Sequence, residues 1–263
     1  MIGAAKFIVK SSWTSPPGRV QLGTGQLHVW CADMADFHSR LQDFRAILSD
    51  SEITRAERFK FPNDRDHYCV RHGIRRLLLA RYLRVDPVAV EFQHGARGKP
   101  EFAGRSQHVH FNDSHSGELA LYAVAADCPI GVDIEQVKPV PDFEAIAENY
   151  FSPREVAAMR ALPSGQRMEA FYSCWTRKEA LLKATGEGIG TSLPKVEVTL
   201  GREEDPAVLS IDGDQDARLN WSLRAFCPAA GYVGAAAFAR HNLELIVWRI
   251  TNVDSWLWGE IRS

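Results

Sequence analysis

Ser152-Pro-Arg-Glu155, followed by a helical stretch at 166–185 that carries Ala180-Leu-Leu-Lys-Ala184, repeats an earlier passage of the chain. That passage is Ser49-Asp-Ser-Glu52, followed by a helical stretch at 64–84 that carries Leu77-Leu-Leu-Ala80. Both openings are Ser-x-x-Glu capping boxes, in which serine and glutamate satisfy each other's free backbone N–H groups at a helix start. Ser49 to Ala80 spans 31 residues (80 − 49) and Ser152 to Ala184 spans 32 (184 − 152), so the spacing is kept as well as the order. Val70, Ile74, Leu77 and Leu78 lie at i, i+4, i+7 and i+8 and form one apolar stripe on the first long helix. Gly186 and Gly188 stop the second. Strands are expected at 26–32, 88–93, 108–112 and 119–125 around the first helix pair, and at 195–200, 219–226 and 232–238 after the second. The echo predicts an α+β fold, a pseudo-dimer of two similar α+β halves at 1–126 and 127–263 joined near 127–141.

The remaining text bounds the molecule. With 263 residues, 45% of them hydrophobic and 24% charged, the chain can bury a sizeable core, which excludes a disordered or collagen-like protein. The net charge of −2 sets no global field toward nucleic acid or an anionic membrane, so an anionic ligand has to be held by a local patch. Cys31, Cys69, Cys128, Cys174 and Cys227 are scattered and form no Cys-x-x-Cys pair, which suits reduced thiols in a cytoplasmic protein. The apolar stretch in residues 1–10 is too short for a secretory signal, and no run approaches the ~18 residues of a membrane helix. Residues 1–25 read as a loose entry segment and 36–48 as a helix. Residues 229–239 read as a buried strand, while 243–250 and Trp256-Leu-Trp258 pack back on the body.

Chemistry is written in two segments. In Gly131-Val-Asp133-Ile-Glu135, strand alternation puts Asp133 and Glu135 on one face and Val132 and Ile134 on the other. Two hard carboxylates side by side make a seat for Mg²⁺, although a solvated strand face has the same pattern. In the helix that follows, Trp175, Glu179 and Lys183 fall in one row, with Lys178 and Leu182 beside it. A third carboxylate and an ammonium on that ridge suit a metal with a phosphate, or equally a surface Glu179–Lys183 pair.

Together these segments resemble the Sfp-type 4′-phosphopantetheinyl transferases, whose G-x-D-x-E strand and W-x-x-K-E-A-x-x-K helix are matched by Gly131–Glu135 and Trp175–Lys183. The family's G-K-P loop is matched by Gly98-Lys99-Pro100, and its F-N-x-S-H-S stretch by Phe111-Asn112-Asp113-Ser114-His115-Ser116. The resemblance implies a pseudo-dimer with the active site between the halves, and a holo-[acyl-carrier-protein] synthase type of activity. The phosphopantetheine arm of coenzyme A would pass to a serine of an apo acyl or peptidyl carrier protein, with release of adenosine 3′,5′-bisphosphate. It further implies Mg²⁺, with Mn²⁺ as a substitute, held by Asp133, Glu135 and Glu179. Asp133, Glu179 and Lys183 would be the catalytic set, with Glu179 as metal ligand, as base toward the serine, or both. Lys99, Pro100, Ser114 and His115 would hold coenzyme A together with Asp133, Glu179 and Lys183, and Arg55 and Arg71 would lie near the 3′-phosphate. Some members carry two basic residues in the short helix, where this chain has Glu52 and then Arg55. A monomer serving fatty acid, polyketide or nonribosomal peptide synthesis completes the implication. Two alternatives use the same residues: a Mg²⁺-dependent phosphohydrolase or nuclease, and a non-catalytic binding module.

Overall fold

The computed structural model describes residues 13–95, 99–103, 108–186, 192–200, 205–239 and 243–251, without the His94 side chain. Residues 1–10, Gly98, Gly188 and Trp256-Leu-Trp258, which the sequence reading singled out, lie outside them.

Strand β1 (Gln26–Asp33) is apolar on both sides because both sides are covered. It is followed by a 3-10 turn at Met34–Arg40 and by α1 (Leu41–Ile47), α2 (Asp50–Ala56) and α3 (Pro62–Leu83). The small pair β2 (Phe92–His94) and β3 (Pro100–Phe102) precedes the hairpin β4 (Val109–Ser116) and β5 (Leu119–Ala126). The order then recurs: β6 (Ile130–Gln136), α4 (Phe143–Tyr150), α5 (Pro153–Ala161), α6 (Ser164–Thr185), the small pair β7 (Val196–Val198) and β8 (Val208–Ile211), and the hairpin β9 (Ser222–Phe226) and β10 (Tyr232–Phe238). In the first half β5 pairs antiparallel with both β1 and β4; in the second, β10 does so with both β6 and β9. The echo in the sequence is therefore a repeat of topology.

The two sheets face each other across an apolar layer in which Leu27, Val29 and Leu121 meet Val132, Ile134 and Phe238. Each long helix covers an outer face. α3 packs through Val70, Ile74, Leu77 and Leu78 onto Trp30 and Tyr122, while α6 packs through Ala180, Leu181 and Ala184 onto Leu223, Ala235 and Ala237. The order helix, sheet, sheet, helix leaves β4 and β6 as the two sheet edges that meet. Among the described residues no helix is long and apolar enough to cross a membrane.

Several elements differ from the sequence reading. The helix expected at 36–48 opens as a 3-10 turn because the Asp33 carboxylate caps the Ala35 N–H. The strand expected at 88–93 shrinks to 92–94, since Pro87 has no N–H and Asp86 caps a 3-10 turn there. The strand expected to end at Asn112 runs on to Ser116. The stretches at 195–200 and 219–226 open in 3-10 turns and leave strands at Val196–Val198 and Ser222–Phe226. Helix α4 and strand β8 were not anticipated. The final strand, β11 (Glu244–Ile250), pairs parallel with β1, so the end of the second half completes the sheet of the first.

Candidate active site at the meeting of the two sheets

The site begins with a glycine. A Cβ on Gly131 would sit 2.0 Å from the Ala180 carbonyl oxygen and 2.5 Å from the Ala184 nitrogen, so only glycine lets α6 lie this close to β6. Across that contact, Asp133 and Glu135 on the outer face of β6 meet Glu179 and Lys183, one helical turn apart on α6. Lys183 Nζ donates to Asp133 Oδ1 at 2.7 Å, to Ser114 Oγ at 3.0 Å and to the Val132 carbonyl at 3.2 Å. Asp133 Oδ2 is buried without a hydrogen-bond partner. Burial, then Asp133 and Glu135, push Glu179 up to about 7 against the pull of Lys183. Burial and the Asp133 charge likewise raise Glu135.

Strand β4 connects this cluster to the rest of the site by alternation. On one face, Asn112 Oδ1 accepts from the Val132 N–H at 2.8 Å, Ser114 Oγ donates to Asp133 Oδ1 at 2.8 Å, and Ser116 Oγ donates to Glu135 Oε2 at 2.7 Å. On the other face, Asp113 lies 3.5 Å from Arg75, and His115 Nδ1 accepts from Arg71 at 2.8 Å. Burial alone would raise the Asp113 carboxyl, but Arg75 and Arg71 hold it below its usual range. Partial desolvation and then Arg71 bring His115 down to about 4, so at neutral pH it is an uncharged ring.

Beyond β4 opens a cavity of about 830 Å³, lined by Arg55, Arg71, Arg75 and Arg76 from α2 and α3 and by Tyr68 and Phe92. Tyr68 stacks on His72 at 3.8 Å, and the Arg75 guanidinium lies 4.5 Å from the Phe92 ring centre. The acid at the first short-helix position is explained here. Glu52 closes the capping box with Ser49 and accepts from Arg76 Nε at 2.7 Å and Arg75 Nη2 at 3.0 Å. Burial would raise its carboxyl, yet His72, Ser49 and Arg76 hold it well below the usual range. Glu52 is thus the anchor of the arginines.

The residues singled out from the sequence fall into three places. Asp133, Glu135, Glu179, Lys183 and Ser114 form the cluster, with His115 on the opposite face of β4. Arg55, Arg71 and Pro100 line the cavity. Lys99 instead donates to the Ile130 carbonyl at 3.0 Å, just ahead of Gly131, and burial lowers its ammonium. The sequence reading did not place Arg75, Arg76, Tyr68, Phe92, Asn112 or Ser116 at the site. Arg76, which a cationic helix face would show to solvent, is only 3% exposed. The period-two run Asn112, Ser114, Ser116 was the available signal for the β4 contacts.

As the side chains stand, no three His, Cys, Asp or Glu residues among those described are drawn together closely enough to hold a metal. The donor set nevertheless suits a hard divalent cation, because it offers oxygen ligands, one buried oxygen has no partner, and burial with the neighbouring acids disfavours the charge of Glu135 and Glu179.

Comparisons with known proteins bear on the same regions. Residues 30–128 match the family model described as 4′-phosphopantetheinyl transferase, N-terminal, and residues 129–237 match that of the 4′-phosphopantetheinyl transferase superfamily. The 4′-phosphopantetheinyl transferase HetI of Nostoc sp. is 38% identical over 243 residues, which is 92% of this chain and 99% of that protein. A phosphopantetheinyl transferase of Thraustochytrium sp. is 32% identical, over 79% of this chain and 75% of its own. The 4′-phosphopantetheinyl transferase Sfp of Bacillus subtilis is 28% identical, over 61% and 70%. The solved holo-(acyl-carrier-protein) synthase from Bacillus anthracis in complex with CoA (3′,5′-ADP) aligns at a TM-score of 0.34 and 20% identity, over 42% of this chain and 93% of that one.

Proposed function

The chain belongs to the 4′-phosphopantetheinyl transferase superfamily, and we propose that its cleft moves the phosphopantetheine arm of coenzyme A to a serine of an apo acyl or peptidyl carrier protein. One observation carries the reading: the cluster of Asp133, Glu135, Glu179 and Lys183 and the arginine-lined cavity sit on opposite faces of the same strand, β4. A long ligand with phosphates in its middle and at its nucleotide end calls for such a pair of sites. Arg55 and Arg71 suit the 3′-phosphate, with Arg75 and Arg76 held behind them by Glu52. Pro100, Lys99, Ser114 and His115 border the path toward the pyrophosphate. Lys99 and Ser114 have to exchange their present partners to reach a phosphate oxygen.

Asp133, Glu135 and Glu179 are the residues that would hold Mg²⁺, whose chemistry when bound is to neutralise charge on the pyrophosphate. The chain's own groups do the rest. Glu179, as a carboxylate, accepts the proton from the carrier serine hydroxyl as that oxygen attacks the β-phosphorus of coenzyme A. The bond from that phosphorus to the bridging oxygen breaks, and Lys183 steadies the charge gathering on the adenosine 3′,5′-bisphosphate that leaves. The model boundaries at 128 and 129 support division of the chain near 126–127 into a nucleotide-holding half and a metal-holding half. Action as a monomer in the cytoplasm belongs to the same reading. No observation favours a phosphohydrolase, a nuclease or a binding module.

The test is intact-mass measurement of apo carrier proteins incubated with the protein, coenzyme A and Mg²⁺. A gain of one phosphopantetheine arm is expected, abolished in Asp133→Ala and strongly slowed in Lys183→Ala. No gain across carriers from fatty acid, polyketide and peptide synthesis would overturn the assignment.

A further inference from the structure

We propose that Ser116 is a positioning residue that holds the Glu135 carboxylate in the orientation needed for a divalent metal. The inference rests on the metal-seat reading above. Three observations lead to it. Ser116 Oγ donates to Glu135 Oε2 at 2.7 Å and accepts from the Gln136 N–H at 3.1 Å, so the hydroxyl is fixed at both its donor and acceptor sides. Its counterpart two residues earlier, Ser114, does the same service for Asp133 by donating to Oδ1 at 2.8 Å. Two hydroxyls at i and i+2 on β4 thus each hold one oxygen of two carboxylates at i and i+2 on β6, and on Asp133 the other oxygen has no partner. The turn after Ser116 is pressed against the second sheet as well. Gly117 has φ 55°, and a Cβ there would lie 2.5 Å from Gln136 Oε1 and 2.7 Å from the Tyr232 hydroxyl. This close fit fixes where the Ser116 hydroxyl stands.

The physical consequence is pre-organisation. A glutamate has one more rotatable bond than an aspartate, and a hydrogen bond to its carboxylate limits the orientations that would otherwise be lost on metal binding. A donor on one oxygen leaves the other to the cation. Removing that donor therefore weakens metal binding without touching a ligand.

The experiment is titration of the full-length protein with Mn²⁺, followed calorimetrically and by loss of the free-ion paramagnetic resonance signal, with thermal unfolding as a control of fold. Ser116→Ala is expected to weaken Mn²⁺ binding about tenfold, the usual effect of losing a group that orients a ligand. Ser116→Thr, which keeps the hydroxyl, is expected to bind close to wild type, and Ser116→Val, of the same shape without it, to bind as weakly as the alanine variant. The Thr and Val pair decides the matter even if the alanine variant folds poorly. Equal Mn²⁺ affinity in the Thr and Val variants would overturn the proposal. Asp133→Asn separates this from the reading beneath it. If it abolishes binding while Ser116→Val does nothing, only the role of Ser116 falls; if it binds as wild type, the metal seat and the role of Ser116 fall together.

Discussion

The two halves lay a 22-residue helix over the same three-strand unit, but they fill the space beneath it differently. Under α3 the first sheet presents Trp30 and Tyr122, both buried, with Trp248 of β11 beside them. Under α6 the second sheet presents Gly131, Ala235 and Ala237, so the helix backbone comes down onto the strand. Large aromatics make a thick, purely structural layer. Small residues bring the backbones together, and the carboxylates at the edge of β6 then come within reach of Lys183. The difference between the two halves is in large part the side-chain volume between helix and sheet.

The most drastic way to break that comparison is Gly131→Ala. The added methyl meets main-chain atoms of α6, which cannot rotate away, so the helix has to lift. A loss of more than about 4 kcal/mol of stability, with no transfer activity in what remains folded, is expected in denaturant unfolding. Gly73→Ala in α3 is the control. Its methyl would meet the buried Phe44 ring and its Cβ at 2.6 Å but no main-chain atom, so α1 has to give slightly, and a cost of about 3 kcal/mol is expected. Equal costs would show that helix-to-strand closeness is not what distinguishes the second half.

The capping glutamates sharpen the contrast further. Glu155 accepts from Lys178 Nζ at 2.5 Å and from the Val198 N–H at 2.8 Å, and the Lys178 side chain is wholly buried. Glu155→Gln strands that ammonium, at an expected cost of about 3–5 kcal/mol. The equivalent Glu52 holds arginines with other partners: Arg76 also donates to the Pro87 and Val90 carbonyls, and Arg75 faces Asp113. Glu52→Gln is therefore expected to cost only about 1–2 kcal/mol while raising the KM for coenzyme A several-fold, because Arg75 and Arg76 line the cavity. Steady-state kinetics with coenzyme A varied will check it. One fold device holds a buried lysine in one half and, in the other, arginines that line the cavity.

Sequence patterns conveyed what is local. Both Ser-x-x-Glu boxes form as hydrogen-bonded caps, and the stripe from Val70 to Leu78 is buried against the first sheet. The alternation of Val132 and Ile134 with Asp133 and Glu135 separates core from site, and the turn between Glu179 and Lys183 directs both toward β6. What escaped is non-local. Nothing in Glu244–Ile250 announces that its parallel partner is β1, more than two hundred residues away. The burial of Arg75 and Arg76 depends on Glu52, 23 and 24 residues distant, which composition alone presents as one more surface acid. The strand expected at 108–112 stops short of Asp113–Ser116 because this polar stretch of an edge strand has no apolar alternation to reveal it.

The last expected effect concerns pH and the proton on Glu179. In the metal-free protein Glu179 titrates near 7 rather than 4.5, because burial and two neighbouring acids disfavour its charge. Between those values the folded chain holds a proton on Glu179 that the unfolded chain has released, so the Glu179 contribution to stability falls as pH rises through that window. His28, His72 and His115, each lowered to about 4 chiefly by burial, contribute in the opposite sense below pH 6.5. The Glu179 contribution amounts to roughly 2 kcal/mol, equivalent to several degrees in Tm. Glu179→Gln removes this contribution, whereas Glu52→Gln leaves it untouched, since Glu52 is held ionised down to far lower pH. Thermal unfolding in chelator at pH 5 and pH 8 makes the check. A cation that binds among the three carboxylates takes the place of the Glu179 proton, so adding Mg²⁺ at pH 6.5 should release protons to the buffer, seen as a dependence of the binding heat on buffer ionisation enthalpy. An equal change in Tm between pH 5 and pH 8 in Glu179→Gln and in wild type would mean that the proton sits on another group.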